Sequence, residues 1–162
     1  MRDTLIRLGS FVAAIAFSTG YAALDSAQDF VNRAAVSDRF ELSLAELAKE
    51  RGDAASRAFA ARIRRDHQES QRELERIASQ EKLALPEQLD ARHTALLAEL
   101  RELEGEAFDR AFARVQVDVQ REAVALYEGE ANEGGVSSLR DFAERTLPRL
   151  RDHLTRARTL YE

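Results

Sequence analysis

Three histidines are the only imidazoles in this chain, and two of them carry the same neighbour: Asp66-His67 and Asp152-His153. Imidazole beside carboxylate is the raw material of general acid–base work and of metal ligation. His67 stands in a run, Phe59, Ile63, His67, Ser70, Leu74 and Ile77, whose members follow at steps of three or four. That spacing is one stripe down a helix, so the ring points where apolar side chains point. His153 stands on a similar stripe of Leu139, Phe142, Thr146, Leu150, His153, Ala157 and Leu160. His93 lies in a polar stretch and reads as a surface residue. A histidine on an apolar stripe is most often a hydrogen-bonded core residue. Two on separate helices, each preceded by Asp, make a candidate metal site as well.

Other chemistries are missing their parts. The chain has no cysteine, which removes disulfides, thiolate metal ligands and thiol nucleophiles. It carries no nucleophile elbow, phosphate loop or dinucleotide fingerprint. A ferritin-like di-iron centre uses Glu-x-x-His on two helices. Three residues before His67 stands Arg64, and three before His153 stands Leu150, so the motif is broken twice and a redox enzyme is the weakest alternative. The arginine groups Arg62-Arg64-Arg65 and Arg149-Arg151 are interleaved with acids, as on a solvated helix face. With a net charge of −5 and no one-sided basic field, a nucleic-acid partner is not expected.

The elements that must position these side chains are helical. Charged residues make up 33% and hydrophobic ones 44% of the 162 residues, which suits one folded, well-solvated domain. Only 7 glycines and 2 prolines are present, too few for a turn-rich β fold, and Ala, Leu, Glu and Arg dominate. Lys49 and Lys82 are the only lysines.

The N-terminus reads as a secretory signal over residues 1–22. Arg2 and Arg7 give the positive start, Leu8–Phe17 the apolar stretch, and Gly20 and Ala22 the small residues before a cleavage point. The apolar stretch is shorter than the roughly 20 residues that span a bilayer. This predicts export to the periplasm or cell envelope, with residues 23–162 as the mature domain and no membrane-spanning segment after the signal.

The remaining elements follow from breaks in the pattern. Asp25–Ala35 is a first helical segment capped by Asp25 or Ser26, with a restart at Ser37 or Asp38 and a stripe of Phe40, Leu44 and Leu47 up to Arg51. Gly52-Asp53 is a stop followed by a start. A helix runs from Asp53 to about Lys82, and Pro86 separates it from a short helix over Leu89–Leu103. Glu106–Ala131 carries Phe108, Phe112, Val115, Val119 and Leu126. After the turn at Asn132–Gly135, Val136–Tyr161 forms the last helix, with Pro148 predicted to bend it one turn before His153. The stretches after Gly52 and Gly135 resemble each other weakly, each leading through Phe-Ala and arginines to Asp-His. Two such hairpins joined by a linker give an all-α four-helix bundle with a short extra helix in the crossover. With both hairpin turns at one end, His67 and His153 come level. Asp66 and Asp152 lie about 100° round their helices from the histidines, and the expected partners are Arg62 for Asp66 and Arg156 for Asp152.

From Phe30 to Tyr161 the chain resembles the bacterial "domain of unknown function 4142" family. The matching stretches are Phe30–Ala35, Phe40–Ala48, Arg57–His67, Leu85-Pro86 with Leu89–His93, Phe108–Phe112, Ala123–Ala131 and Asp141–Leu154. The resemblance implies an exported, ferritin-like bundle with no established activity. It also implies a Glu on the first long helix and a His on each later one, carried here by Glu41, His67, position 120 and His153. Position 120 is Gln120 in this chain, a poorer transition-metal ligand than imidazole. By helical angle Glu41 and Gln120 lie on the flanks of their stripes. The functional expectation is therefore a non-catalytic exported protein with a binding or envelope and stress-related role. The alternative is a protein binding a divalent transition metal through His67, His153 and Glu41. Its partner protein or small ligand is not specified by any residue pattern.

Overall fold

The computed structural model describes residues 13–160, and within them every regular element is a helix. There are five: α1 (Ala13–Arg51), α2 (Ala54–Glu81), α3 (Ala91–Arg101), α4 (Gly105–Glu133) and α5 (Ser137–Arg158). The positive start of the predicted signal lies outside the described residues, while its later part, from Ala13, belongs to the first turns of α1. No helix among the described residues is long and apolar enough to cross a membrane.

α1 is one helix, not the two segments expected from the sequence. The helix begins before Asp25 and Ser26 and passes Ser37 and Asp38 without a break. Such residues end helices when their side chains compete for backbone N–H groups. Asp38 is not free to do so, because its carboxylate is held by His67 across the helix interface.

The turn after α1 has the expected chemistry. A Cβ on Gly52 would stand 2.6 Å from the Ala48 carbonyl oxygen, so glycine is required there. Asp53 caps α2 by accepting from the Ser56 N–H at 2.7 Å. The Asp53 N–H in turn donates to Asp109 Oδ1 at 2.9 Å, which ties this turn to the start of α4. α2 ends at Lys82, whose φ of 59° is left-handed, with the Leu83 N–H returning to the Ala78 carbonyl at 2.8 Å. Asp90 caps α3 through the His93 N–H.

The second hairpin turn lies at the other end. A Cβ on Gly135 would approach the Ala23 Cβ to 2.6 Å, which puts the α4–α5 turn beside the early part of α1. The two turns therefore sit at opposite ends, against the expectation that they share one. α1 runs one way, α2 and α4 run back, α5 runs with α1, and the segment with α3 is the crossover that makes α2 and α4 parallel. At about 1.5 Å per residue, His67 is roughly 22 Å from its turn and His153 roughly 27 Å from the other. The rings meet because both are near the middle, whichever end is counted from.

The core has two apolar halves. One gathers Phe30, Val31, Leu74, Ile77, Tyr127, Leu139 and Phe142 towards the Gly135 end. The other gathers Phe40, Leu44, Phe59, Ile63, Phe108 and Phe112 towards the Gly52 end. Between them lie the buried polar side chains of Asp38, Glu41, His67, Gln116, Gln120 and His153. α4 presents Phe108, Phe112, Gln116, Val119, Gln120, Ala123 and Tyr127 to the interior, while Val115 and Leu126 are only half-buried. The stripe is thus rotated from the expected one, and two amides occupy its centre.

Candidate functional site: a buried Asp–His layer

The layer consists of three hydrogen-bonded units. Asp38 from α1 and His67 from α2 meet Oδ1 to Nδ1 at 2.7 Å. Asp66 from α2 and His153 from α5 meet Oδ2 to Nε2 at 2.9 Å. Glu41 from α1 accepts from two amides of α4, Gln116 Nε2 and Gln120 Nε2, each at 2.8 Å. The rings of His67 and His153 lie 5.7 Å apart between centroids and are tilted by 33°.

Burial is nearly total at the centre. Glu41, Gln116 and Gln120 are 0% exposed, His153 1%, Asp38 2% and His67 3%. Each buried polar group must find a partner or bear a desolvation cost. Several do not find one within the protein: His67 Nε2, His153 Nδ1, Asp38 Oδ2, and the Oε1 atoms of Gln116 and Gln120.

Electrostatics separates the two imidazoles. Burial lowers the pKa of His153 to about 4, and the hydrogen bond to Asp66 only partly opposes it. Burial also works against the charged form of His67, but the hydrogen bond and charge of Asp38 outweigh it and the pKa is raised. Burial raises the pKa of Glu41, with the neighbouring Asp38 charge in the same direction and His67 opposing. The Tyr127 hydroxyl, beside Ser70, is pushed well up by its burial.

The fold brings His67, His153, Glu41 and Gln120 into one buried layer, whereas residue counting predicts a common level only for the two histidines. Glu41 and Gln120, expected on the flanks, are bonded to each other at the centre. Asp66 departs from its expected pairing. Its carboxylate serves His153, and the Arg62 Nε stands further off at 3.9 Å. Asp152 does take Arg156 at 2.8 Å, and it takes Arg62 at 2.8 Å as well, on an exposed surface. His93 is not a free surface residue. Its ring lies 4.6 Å from that of Phe40 and bonds the Asp90 carboxylate, with the side chain 12% exposed.

Two members of the layer have no distinct signal of their own in the sequence. Asp38 resembles a helix cap. Gln116 is masked by Val115, which stands next to it and completes an apolar stripe. Their spacing holds a signal: Asp38 and Glu41 are three apart on α1, Gln116 and Gln120 four apart on α4, so each pair shares a face.

A di-iron centre does not fit these side chains. Arg64, where a carboxylate would be needed, points outward to Glu46 at 2.9 Å, and Leu150 is buried among apolar residues. Both oxygens of Glu41 are already engaged by amides. Among the described residues no three or more His, Cys, Asp or Glu side chains gather so as to hold one ion. Two imidazole nitrogens with free valence are what the layer offers a metal.

The fold and the layer define a helical-bundle protein with acid–base pairs in the middle of its core. Over residues 13–160 the chain belongs to the family described as Domain of unknown function (DUF4142). No curated protein and no solved structure matches it.

Proposed function

We propose that this chain is a non-catalytic, exported binding domain of the periplasm or cell envelope, and that its ligand is a metal ion taken at the mid-bundle layer. Export is supported by the arginines, apolar stretch and small residues of positions 1–22. A ferritin-like four-helix arrangement is supported by the order of the long helices, with α3 in the single crossover.

One observation carries the binding reading. His67 and His153 are 3% and 1% exposed, close to each other, and each keeps one ring nitrogen without a protein partner. A substrate of ordinary size has no room among such side chains. The open cavity lined by Phe59, Arg62, Arg65, Arg156 and Leu160, about 470 Å³, contains neither histidine. A single ion needs no such room.

The test is isolation of the protein from the periplasmic fraction of an expressing cell. The expected product starts at Ala23 and carries metal, and the His67→Ala/His153→Ala double variant carries none. Retention in the cytoplasm with an intact N-terminus overturns the export reading. Equal metal content in the two proteins overturns the binding reading.

A further inference from the structure

The way the two imidazoles are held specifies which atoms are free. His67 uses Nδ1 on Asp38 at 2.7 Å, and His153 uses Nε2 on Asp66 at 2.9 Å. A carboxylate accepts the N–H that faces it, which leaves the lone pair of a neutral ring on the opposite nitrogen. Those opposite nitrogens, His67 Nε2 and His153 Nδ1, are the buried ones without a partner. A carboxylate behind an imidazole is the arrangement that orients metal-ligating histidines and raises their basicity. Here it occurs twice, on rings 5.7 Å apart. Two imidazoles sharing one ion through bonds of about 2.0–2.1 Å stand roughly 5–6.5 Å apart between centroids.

The site lacks a third strong ligand. Glu41 is clamped by Gln116 and Gln120, and position 120 itself is an amide. Structural zinc takes four protein ligands and catalytic zinc three. The remaining unpartnered acceptors, Asp38 Oδ2 and two amide oxygens, favour positive charge in the layer but are hard donors. A filled-shell monovalent ion such as copper(I) accepts as few as two ligands, imidazole among them, and with bonds of about 2.0–2.1 Å rings 5.7 Å apart hold it in a bent rather than a straight pair. Asp66 is the most exposed member of the layer, its side chain 15% exposed, and it neighbours Arg62, which lines the 470 Å³ cavity.

We propose that His67 Nε2 and His153 Nδ1 form a two-coordinate site for copper(I), with Asp38 and Asp66 as the residues that position the rings. The inference rests on the metal-ion reading above and narrows it to an ion class and two atoms.

The experiment titrates the purified protein anaerobically with copper(I) against a chromophoric copper(I) chelator, and in parallel with zinc(II) against a zinc indicator. The expected result is one copper(I) per chain, no zinc uptake, and an X-ray absorption spectrum showing two nitrogen neighbours. His67→Gln and His153→Gln abolish binding. Asp66→Asn weakens it by about 10–100-fold, as loss of such a supporting carboxylate does, while Asp152→Asn leaves it unchanged. All variants are compared at a temperature where circular dichroism shows them folded. The coordination number of the unmodified protein is a test that needs no variant. Three or four ligands, or zinc uptake without copper, overturns the two-coordinate site and leaves the metal-ion reading standing. Uptake of neither ion overturns both. Copper(I) affinity unchanged in both histidine variants overturns the assignment of the atoms.

Discussion

Asp66 and His67 are neighbours in the chain but serve different partners: Asp66 bonds His153 on α5, and His67 bonds Asp38 on α1. One dipeptide thus stitches α2 to two other helices. This is possible because successive residues on a helix point about 100° apart. Asp152 and His153 repeat the pair but not the bonding, since Asp152 faces solvent between Arg62 and Arg156.

That difference sets the first prediction. Asp66→Asn weakens a largely buried hydrogen bond from His153, and bonds involving a charged group contribute about 1.5–3 kcal/mol. Asp152→Asn removes exposed ion pairs, which contribute about 0–1 kcal/mol. Urea denaturation midpoints should therefore fall clearly for Asp66→Asn and hardly for Asp152→Asn. Equal losses would show that the duplicated Asp-His positions are structurally equivalent after all.

Glu130 gives a pH-dependent prediction. Its carboxyl is buried near the α4–α5 turn, Oε1 has no protein partner, and burial raises its pKa against the pull of Arg140. A raised carboxyl pKa means that the folded state holds the proton more tightly than the unfolded state. Ionised Glu130 therefore costs stability at neutral pH, and the cost fades as pH falls through its folded pKa towards the ordinary glutamate value. Glu130→Gln should raise the melting temperature at pH 7–8, a range well above the usual glutamate pKa of about 4.3, and the gain should shrink in acid. A gain that grows on acidification would contradict this.

Pro148 lies inside α5, on its exposed side. It cannot donate to the Glu144 carbonyl, and an interior proline costs about 3 kcal/mol in a helix. Pro148→Ala should stabilise the protein by about 1–3 kcal/mol, some of the gain being offset by the freer unfolded chain. A lowered melting temperature would mean that the fixed backbone geometry of Pro148 helps hold His153 on Asp66.

Phe40 is fully buried beneath His93 and borders the polar layer at Glu41. Phe40→Ala should cost about 3–5 kcal/mol, the range for phenylalanine truncation in a packed core. Guanidinium unfolding measures it. A cost below about 1 kcal/mol would mean that the crossover segment collapses into the space, the case in which such cavities cost least.

Much of this arrangement is legible in the sequence, for physical reasons. The stripe from Phe59 to Ile77 marks α2 and aims His67 inward, and the Gly52-Asp53 signal gives the break before it. Counting residues from the turns places each histidine near the middle of its helix, and the two are level for that reason although the turns lie at opposite ends and not at one. What escapes the sequence is whatever depends on which helix lies opposite. Asp38 looks like a cap until His67 is seen to occupy it. Gln116 stands beside an apolar stripe and Gln120 on the flank of one, and neither is central until Glu41 appears between them. The side of Asp66 could not be read, because arginine and histidine are both chemically suitable partners for it.

The opposed turns give the layer a further consequence. A helix sliding past its neighbour moves by whole turns, each about 5.4 Å. If α5 slipped one turn along α2, Arg149 or Ala157 would stand where His153 meets Asp66. The carboxylate would lose its bond, and His153 would enter one of the apolar halves on either side. The apolar stripes alone specify the alignment less sharply, because after a one-turn slide an apolar side chain still meets apolar neighbours and the cost is one of cavities and overpacking. The polar pairs do not tolerate the slide, and they work as a key cut at mid-length that admits one alignment of the helices.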